Sequence, residues 1–250
     1  MMMRALVMAA GLGTRLKPLT NSTPKPLVPV LGIPMVAYVL EELRAHGIEE
    51  ALLNIHYFPE QMRAFASEWN AAGKKPRLEI QDESALLLDS GGSITQAAPW
   101  LFADSSTALI CNADVIAKPD LGALSKDHAR LKADHGVECT LLITPHPETG
   151  RKYNGLRRSV DGRIEAFVEK TGVADPALFH FPGFYLLEKS AVAGLPPAGT
   201  PFGIKEKLWL PLAAAGKLGA SIYNGTYLDL GTPEDLKAAE EFLTREKSRA

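Results

Sequence analysis

The residues from Met8 to Leu27 hold Gly11, Gly13, Thr14, Arg15 and Lys25 in a run punctuated by Pro18, Pro24 and Pro26. Glycines let backbone N–H groups approach an anion, because no Cβ stands in the way. Arg15 offers a planar fork of donors and Lys25 a compact point charge. Pro24 and Pro26 restrict the backbone on either side of Lys25. This pattern predicts a phosphate cradle with two cations, with Ala10, Gly11, Gly13 and Thr14 as nucleotide-binding candidates and Arg15 and Lys25 as catalytic candidates.

Two familiar phosphate loops do not fit. No segment matches G-x-x-x-x-G-K-[ST]. The dinucleotide fingerprint G-x-G-x-x-G/A fails at its third position, which falls on Leu16, and prolines interrupt the helix that should follow. A Gly/Pro surface loop with incidental charges is the plainer alternative, and it leaves the Pro-Lys-Pro clamp unexplained.

Carboxylates form a second constellation. Thr107–Asp114 reads as an apolar strand ending in Asp114, and Tyr227–Leu236 carries Asp229 just before Gly231-Thr232-Pro233. Ligands of open α/β sheets bind beyond the carboxyl ends of strands. Two carboxylates suit magnesium, which keeps waters and takes phosphate oxygens as further ligands. On residue type alone each aspartate fits a turn or helix cap equally well.

These motifs resemble the signature of the sugar-1-phosphate nucleotidyltransferases, or nucleotide-sugar pyrophosphorylases. There the pattern is G-x-G-T-R-x-x-P-L-T followed by P-K-P, matched here by Gly11, Gly13, Thr14, Arg15, Pro18, Leu19, Thr20 and Pro24-Lys25-Pro26. The family's strand-end aspartate corresponds to Asp114, and its W/Y-x-D-x-G-T-P pattern is met by Tyr227 to Pro233. The resemblance implies that Asp114 and Asp229 bind one magnesium ion, with a nucleoside triphosphate and a sugar 1-phosphate as substrates. Phe167-Val-Glu-Lys170 resembles the V-E-K-P element, where Glu169 would bond sugar hydroxyls and Lys170 the sugar phosphate; Thr171 stands where proline is usual. Tyr153-Asn-Gly155 resembles a Y-G step facing the sugar, which adds Gly155 to the sugar-binding candidates, and Asn112 is another candidate for a sugar hydroxyl. Gly91 and Gly92 correspond to an element lying against the base, although a tight connector explains them as well. Gln81 offers both donor and acceptor to a base edge.

The Leu88-Asp-Ser-Gly-Gly92 run is similar to the L-E-T-G-G run of small uridylyltransferases acting on N-acetylmuramic acid 1-phosphate. A chain of 250 residues also leaves no room for a carboxyl-terminal hexapeptide-repeat helix. UTP and N-acetylmuramic acid 1-phosphate are therefore the favoured substrates. Guanylyl or cytidylyl transfer on the same fold is the alternative within the class, and a non-catalytic nucleotide-sugar sensor the alternative outside it.

Positioning these residues calls for an α/β fold. Strand and helix patterns alternate through Arg4–Ala9, Pro34–His46, Ala51–His56, Pro59–Ala72, Leu78–Gln81, Thr107–Cys111, Pro119–His135 and Val137–Ile143, with only a short helix near Ser93–Ala98. This predicts a Rossmann-like, mainly parallel sheet flanked by helices, in a single domain whose residues 1–145 mainly serve the nucleotide. Residues 146–230 change rhythm. Short strands over Gly155–Val160, Arg163–Val168 and Phe181–Leu187 predict a small mixed β subdomain, mainly for the sugar, with Asp161-Gly162 as a hairpin turn. Helices are expected over Ile204–Ala214 and Thr232–Thr244, strands over Ala220–Tyr223 and Thr226–Leu230, and fraying over Arg245–Ala250.

Composition narrows the class further. Hydrophobic residues are 46% and charged residues 22%, with a formal net charge of −2. No basic stripe calls for nucleic acid, and no apolar run has the length of a membrane span. Cys111 and Cys139 lie in apolar strands and read as a buried reduced pair, so a cytoplasmic enzyme is expected. The six histidines show no metal-binding spacing. Oligomeric state is not written in these residues.

Overall fold

The structure, a computed structural model, describes residues 3–248. The chain folds into two compact units. One comprises residues 5–87, 111–118 and those from Thr226 onward; the other comprises residues 88–110 and 119–225, together with Arg4. The boundary is crossed inside the strand Thr107–Asn112, between Ile110 and Cys111.

In the first unit, Ala5–Met8, Glu50–Ile55 and Arg77–Asp82 pair in parallel, with Ala5 facing Ala51 and Ala51 facing Leu78. Their apolar residues are almost wholly buried, as expected for strands covered on both faces. Helices Met35–Ala45 and Pro59–Ala71 provide the crossovers, the second with proline at its first position. Both helices and all three strands lie within a residue or two of the sequence expectation.

Three features of this unit escaped the sequence reading. Pro29–Val30 and Ile33–Pro34 form a two-stranded ladder, turned through Leu31 and Gly32 at positive φ. Val115–Ala117 pairs antiparallel with Tyr227–Asp229. Helix Pro233–Lys247 begins at Thr232, whose hydroxyl accepts from the Asp235 N–H, and runs past the expected end at Thr244. Of the segment expected to fray, Arg245 to Lys247 are therefore helical, and residues 249–250 lie outside the described residues.

The second unit is built around Cys139–Pro145, which pairs antiparallel with Phe184–Glu188 and Phe179–His180 and parallel with Leu218–Ile222. Gly155–Arg158 and Ile164–Val168 form the expected hairpin, with Gly162 at φ +100 in its turn. Helix Leu121–His135 is capped by the Asp120 carboxylate, which accepts from the Ala123 N–H, and stopped by Gly136 at φ +66.

Two expectations here need correction. Asp89–Leu101 is a full helix rather than a loop and short helix, so Gly91 and Gly92 are helical. The helix expected over Ile204–Ala214 opens with a π-helical turn, Lys205–Trp209, before Leu210–Ala214. Among the described residues no helix is long and apolar enough to cross a membrane.

Candidate active site

Lys25, Asp114, Arg15 and Asp229 all belong to the first unit and meet there. The Lys25 Nζ donates to Asp114 Oδ2, and Lys25 is 8% exposed. A lysine so buried is stable only when paired. Asp229 faces Val115 in the antiparallel ladder, and the Leu230 N–H donates to the Asp114 carbonyl at 3.3 Å. Gly231 joins the other two: a Cβ there would lie 3.0 Å from Arg15 Nη2 and 3.2 Å from Asp229 Oδ1. The guanidinium and the carboxylate thus flank the same glycine.

A small hydrophobic core sets this geometry. Leu16, Val28, Val30, Met35, Ile116, Leu230, Leu236 and Ala239 pack together, with Tyr38, Leu228 and Leu243 against them. Leu16 follows Arg15, Leu230 follows Asp229, and Ile116 lies two residues beyond Asp114. Burying each such leucine contributes about 1.5–3 kcal/mol, so the apolar neighbours fix where the polar groups stand.

The cradle loop uses its two glycines differently. Gly13 adopts φ +63, and a Cβ there would come within 2.8 Å of Thr20 Cγ2 and 2.9 Å of Lys25 Cβ. Its carbonyl accepts from the Thr20 hydroxyl at 2.8 Å and from the Leu16 N–H at 2.9 Å. Gly13 therefore lets the loop fold down onto the lysine stem. A Cβ at Gly11 would touch nothing in the chain, so packing does not demand that glycine.

Among the described residues no three His, Cys, Asp or Glu side chains gather as metal ligands. A cage made wholly of protein is thus not built. The Asp114 and Asp229 pair instead fits magnesium, a hard cation that takes one or two carboxylates and fills its octahedron with water and phosphate oxygen.

The family model described as nucleotidyl transferase matches residues 4–246. The chain belongs to this family. It is 31% identical over 246 residues to the N-acetylmuramate alpha-1-phosphate uridylyltransferase of Caulobacter vibrioides, covering 96% of each chain. It is 30% identical over 244 residues to the mannose-1-phosphate guanylyltransferase of Mycobacterium tuberculosis, covering 96% of this chain and spanning 64% of that enzyme's length. The crystal structure of HddC from Yersinia pseudotuberculosis complexed with GMP-PN is similar with a TM-score of 0.75 at 22% identity, covering 97% of this chain and 100% of that one. The fold is thus the expected Rossmann-like one, with a mainly parallel sheet flanked by helices.

Other candidate residues of this nucleotidyl transferase fall in both units. In the first, Ala10 is buried and Thr14 opens a 3₁₀ turn that includes Arg15. Gln81 lies near the carboxyl end of its strand, and Asn112 is half-buried at the end of Thr107–Asn112.

In the second unit, Gly155 faces Val168 across the hairpin, next to Glu169 and Lys170. A Cβ on Gly155 would strike Leu178 at 2.6 Å. The Lys170 N–H donates to Asn154 Oδ1 at 3.0 Å. Glu169 accepts from Lys205 Nζ at 2.9 Å, and this bond and charge hold its carboxyl below the usual range. Lys205 was missed because Lys-Glu-Lys reads as an ordinary solvated helix face; its π-helical turn carries no signal in residue type.

Gly91 and Gly92 have a packing reason within the second unit. Both N–H groups donate to the Phe202 carbonyl, at 2.9 and 3.3 Å. A Cβ would come within 2.2 Å of the Phe202 ring at Gly91 and 2.4 Å of the Thr200 carbonyl at Gly92.

Two histidines of this unit serve packing. His128 bonds Thr140 through Nδ1 and Glu188 through Nε2, at 2.8 and 2.9 Å. His180 packs against Tyr153 and His146, with ring centroids 4.4 and 5.5 Å away.

Proposed function

We propose that this chain transfers a nucleotidyl group from a nucleoside triphosphate to a sugar 1-phosphate and releases pyrophosphate. The observation that carries this reading is the meeting of Arg15, Lys25, Asp114 and Asp229 in one unit.

An oxygen of the sugar phosphate attacks the α-phosphorus. A new P–O bond forms, and the bond to the β-phosphate bridging oxygen breaks, its electron pair leaving with pyrophosphate. The attacking oxygen is already anionic at neutral pH, so no general base is needed. Catalysis then rests on positioning and on charge stabilisation. Arg15 and the N–H groups of the Gly11–Gly13 loop take the departing pyrophosphate. Lys25, held still by Asp114, opposes charge building at the α-phosphate. Glu169 and Gly155 are assigned to the sugar and Lys170 to its phosphate, with Asn112 as a further sugar contact. Gly91 and Gly92 are assigned to the base with Gln81. Magnesium held by Asp114 and Asp229 supplies, when bound, further positive charge against the phosphates.

UTP and N-acetylmuramic acid 1-phosphate are the favoured substrates. The Caulobacter relative supports them, because it and this chain cover one another almost end to end. Guanylyl transfer to mannose 1-phosphate has support of its own in the mycobacterial relative.

A pyrophosphate-release assay with UTP, GTP and CTP against both sugar phosphates, in magnesium and in chelator, tests the proposal. Release with one pair in magnesium alone is expected. No release with any pair overturns it.

A further inference from the structure

A hydrogen-bonded relay crosses the carboxyl edge of the parallel strands in the first unit. Met8, Asn54 and Gln81 are Cα partners in one row. The phosphate loop begins directly after Met8. Asn54, Gln81 and Glu83 are 1%, 9% and 3% exposed.

The orientation of each polar group follows from the first. The Ala9 backbone N–H can only donate, and it donates to Asn54 Oδ1 at 2.6 Å. The Asn54 amide is thereby fixed, and its Nδ2 donates to Glu83 Oε1 at 3.2 Å. That oxygen is therefore an acceptor. The Gln81 group facing it at 2.8 Å must be the NH₂, as found. The backbone holds Glu83 as well: its N–H donates to the Ile55 carbonyl at 2.8 Å, and His56 Nδ1 lies 2.6 Å from its own carbonyl.

We infer that Glu83 and Asn54 are positioning residues that lock the Gln81 amide with its carbonyl oxygen toward the base, restricting the nucleotide to bases with a ring N–H. Uracil presents N3–H and guanine N1–H. Cytosine N3 and adenine N1 are acceptors, and each would set lone pair against lone pair. The cytidylyl alternative is thus disfavoured by a buried relay that does not itself reach the base. This rests on the transferase reading for the claim that Gln81 faces the base, and it supplies the polarity of that contact.

Calorimetric titration with UTP, GTP and CTP in magnesium tests it, joined by N3-methyl-UTP and N1-methyl-GTP. The preferred nucleotide is expected to bind roughly 10–100-fold more tightly than CTP and than its own methylated form, the effect of one buried donor removed. Glu83→Gln can donate as well as accept, so it releases Gln81 to turn over; the preference over CTP should shrink about tenfold. In a Gln81→Leu background the same change should leave the preference where Gln81→Leu alone put it. Equal binding of CTP, or of the methylated nucleotide, overturns the inference. So does undiminished selectivity in folded Glu83→Gln. Should that variant not fold, the methylated nucleotides decide on the unaltered protein. Binding is measured apart from turnover, so selective binding without pyrophosphate release sinks the transferase reading and still supports the amide orientation.

Discussion

Lys25 and Asp114 are ion-paired although 89 residues separate them, and the lysine is buried while the aspartate keeps part of its surface. The ammonium is thus held before substrate arrives, as charge stabilisation requires of a cation that must not reorganise during reaction. The carboxylate keeps a second oxygen for other work.

Lys25→Ala and Asp114→Ala are each expected to lower kcat by about 10²–10³, the effect of losing one preorganised charge stabiliser. The double variant should lose far less than the product of the two, because the residues act as a unit. Steady-state kinetics, with circular dichroism to confirm folding, check this. Near-native turnover in either single variant removes that residue from the mechanism.

Gly231→Ala probes the neighbouring contact. The added methyl would press on Arg15 and Asp229 at 3.0 and 3.2 Å, and both are side-chain atoms that can yield. Stability should change by less than about 1 kcal/mol, while kcat should fall at least about tenfold as both groups are displaced. A melt together with a turnover assay separates the two. A large loss of stability at unchanged kcat would contradict the placement.

Much of this arrangement was legible in the sequence because it is carried by local pattern. The strands and helices from Ala5 to Asp82 follow hydrophobic periodicity, and Thr232-Pro233 marks a helix start by capping chemistry. What stayed hidden depends on distant partners. Val115–Ala117 is too short to show a period and becomes a strand only by pairing with Tyr227–Asp229. Gly91-Gly92 reads as a break because glycine is a poor helix former; the Phe202 ring and the Thr200 carbonyl, more than a hundred residues away, leave no room for a Cβ. Lys205 and the Asn54–Glu83 relay were invisible for the same reason.

His180 should give stability an acidic limb. Burial, with the charges of His146 and Lys152, lowers its pKa to about 4. The unfolded chain protonates the imidazole near its ordinary pKa of about 6.5. Between those values the unfolded state binds the proton and the folded state does not. The contribution is therefore whole above about pH 6.5 and fades as pH falls to about 4, amounting to roughly 3 kcal/mol. Urea denaturation of the unaltered protein and His180→Gln across this window checks it: the slope against pH should flatten in the variant.

Cys111 and Cys139 are free and buried, and burial pushes both thiols well above their usual range. Neither should react with a thiol reagent while the protein is folded, and both should react in denaturant. Rapid native labelling would contradict this packing.

The unit that holds Lys25, Asp114 and Asp229 is drawn from three separate stretches of chain, and the longest interruption runs from Pro119 to Gly225. Synthesis from the amino end therefore delivers the lysine early, the first carboxylate midway and the second near the close. A nascent chain arrested before residue 226 already carries the cradle loop and Asp114 but has neither Asp229 nor the apolar residues that fix its position. Phosphate-handling competence is acquired in a final step of translation rather than gradually.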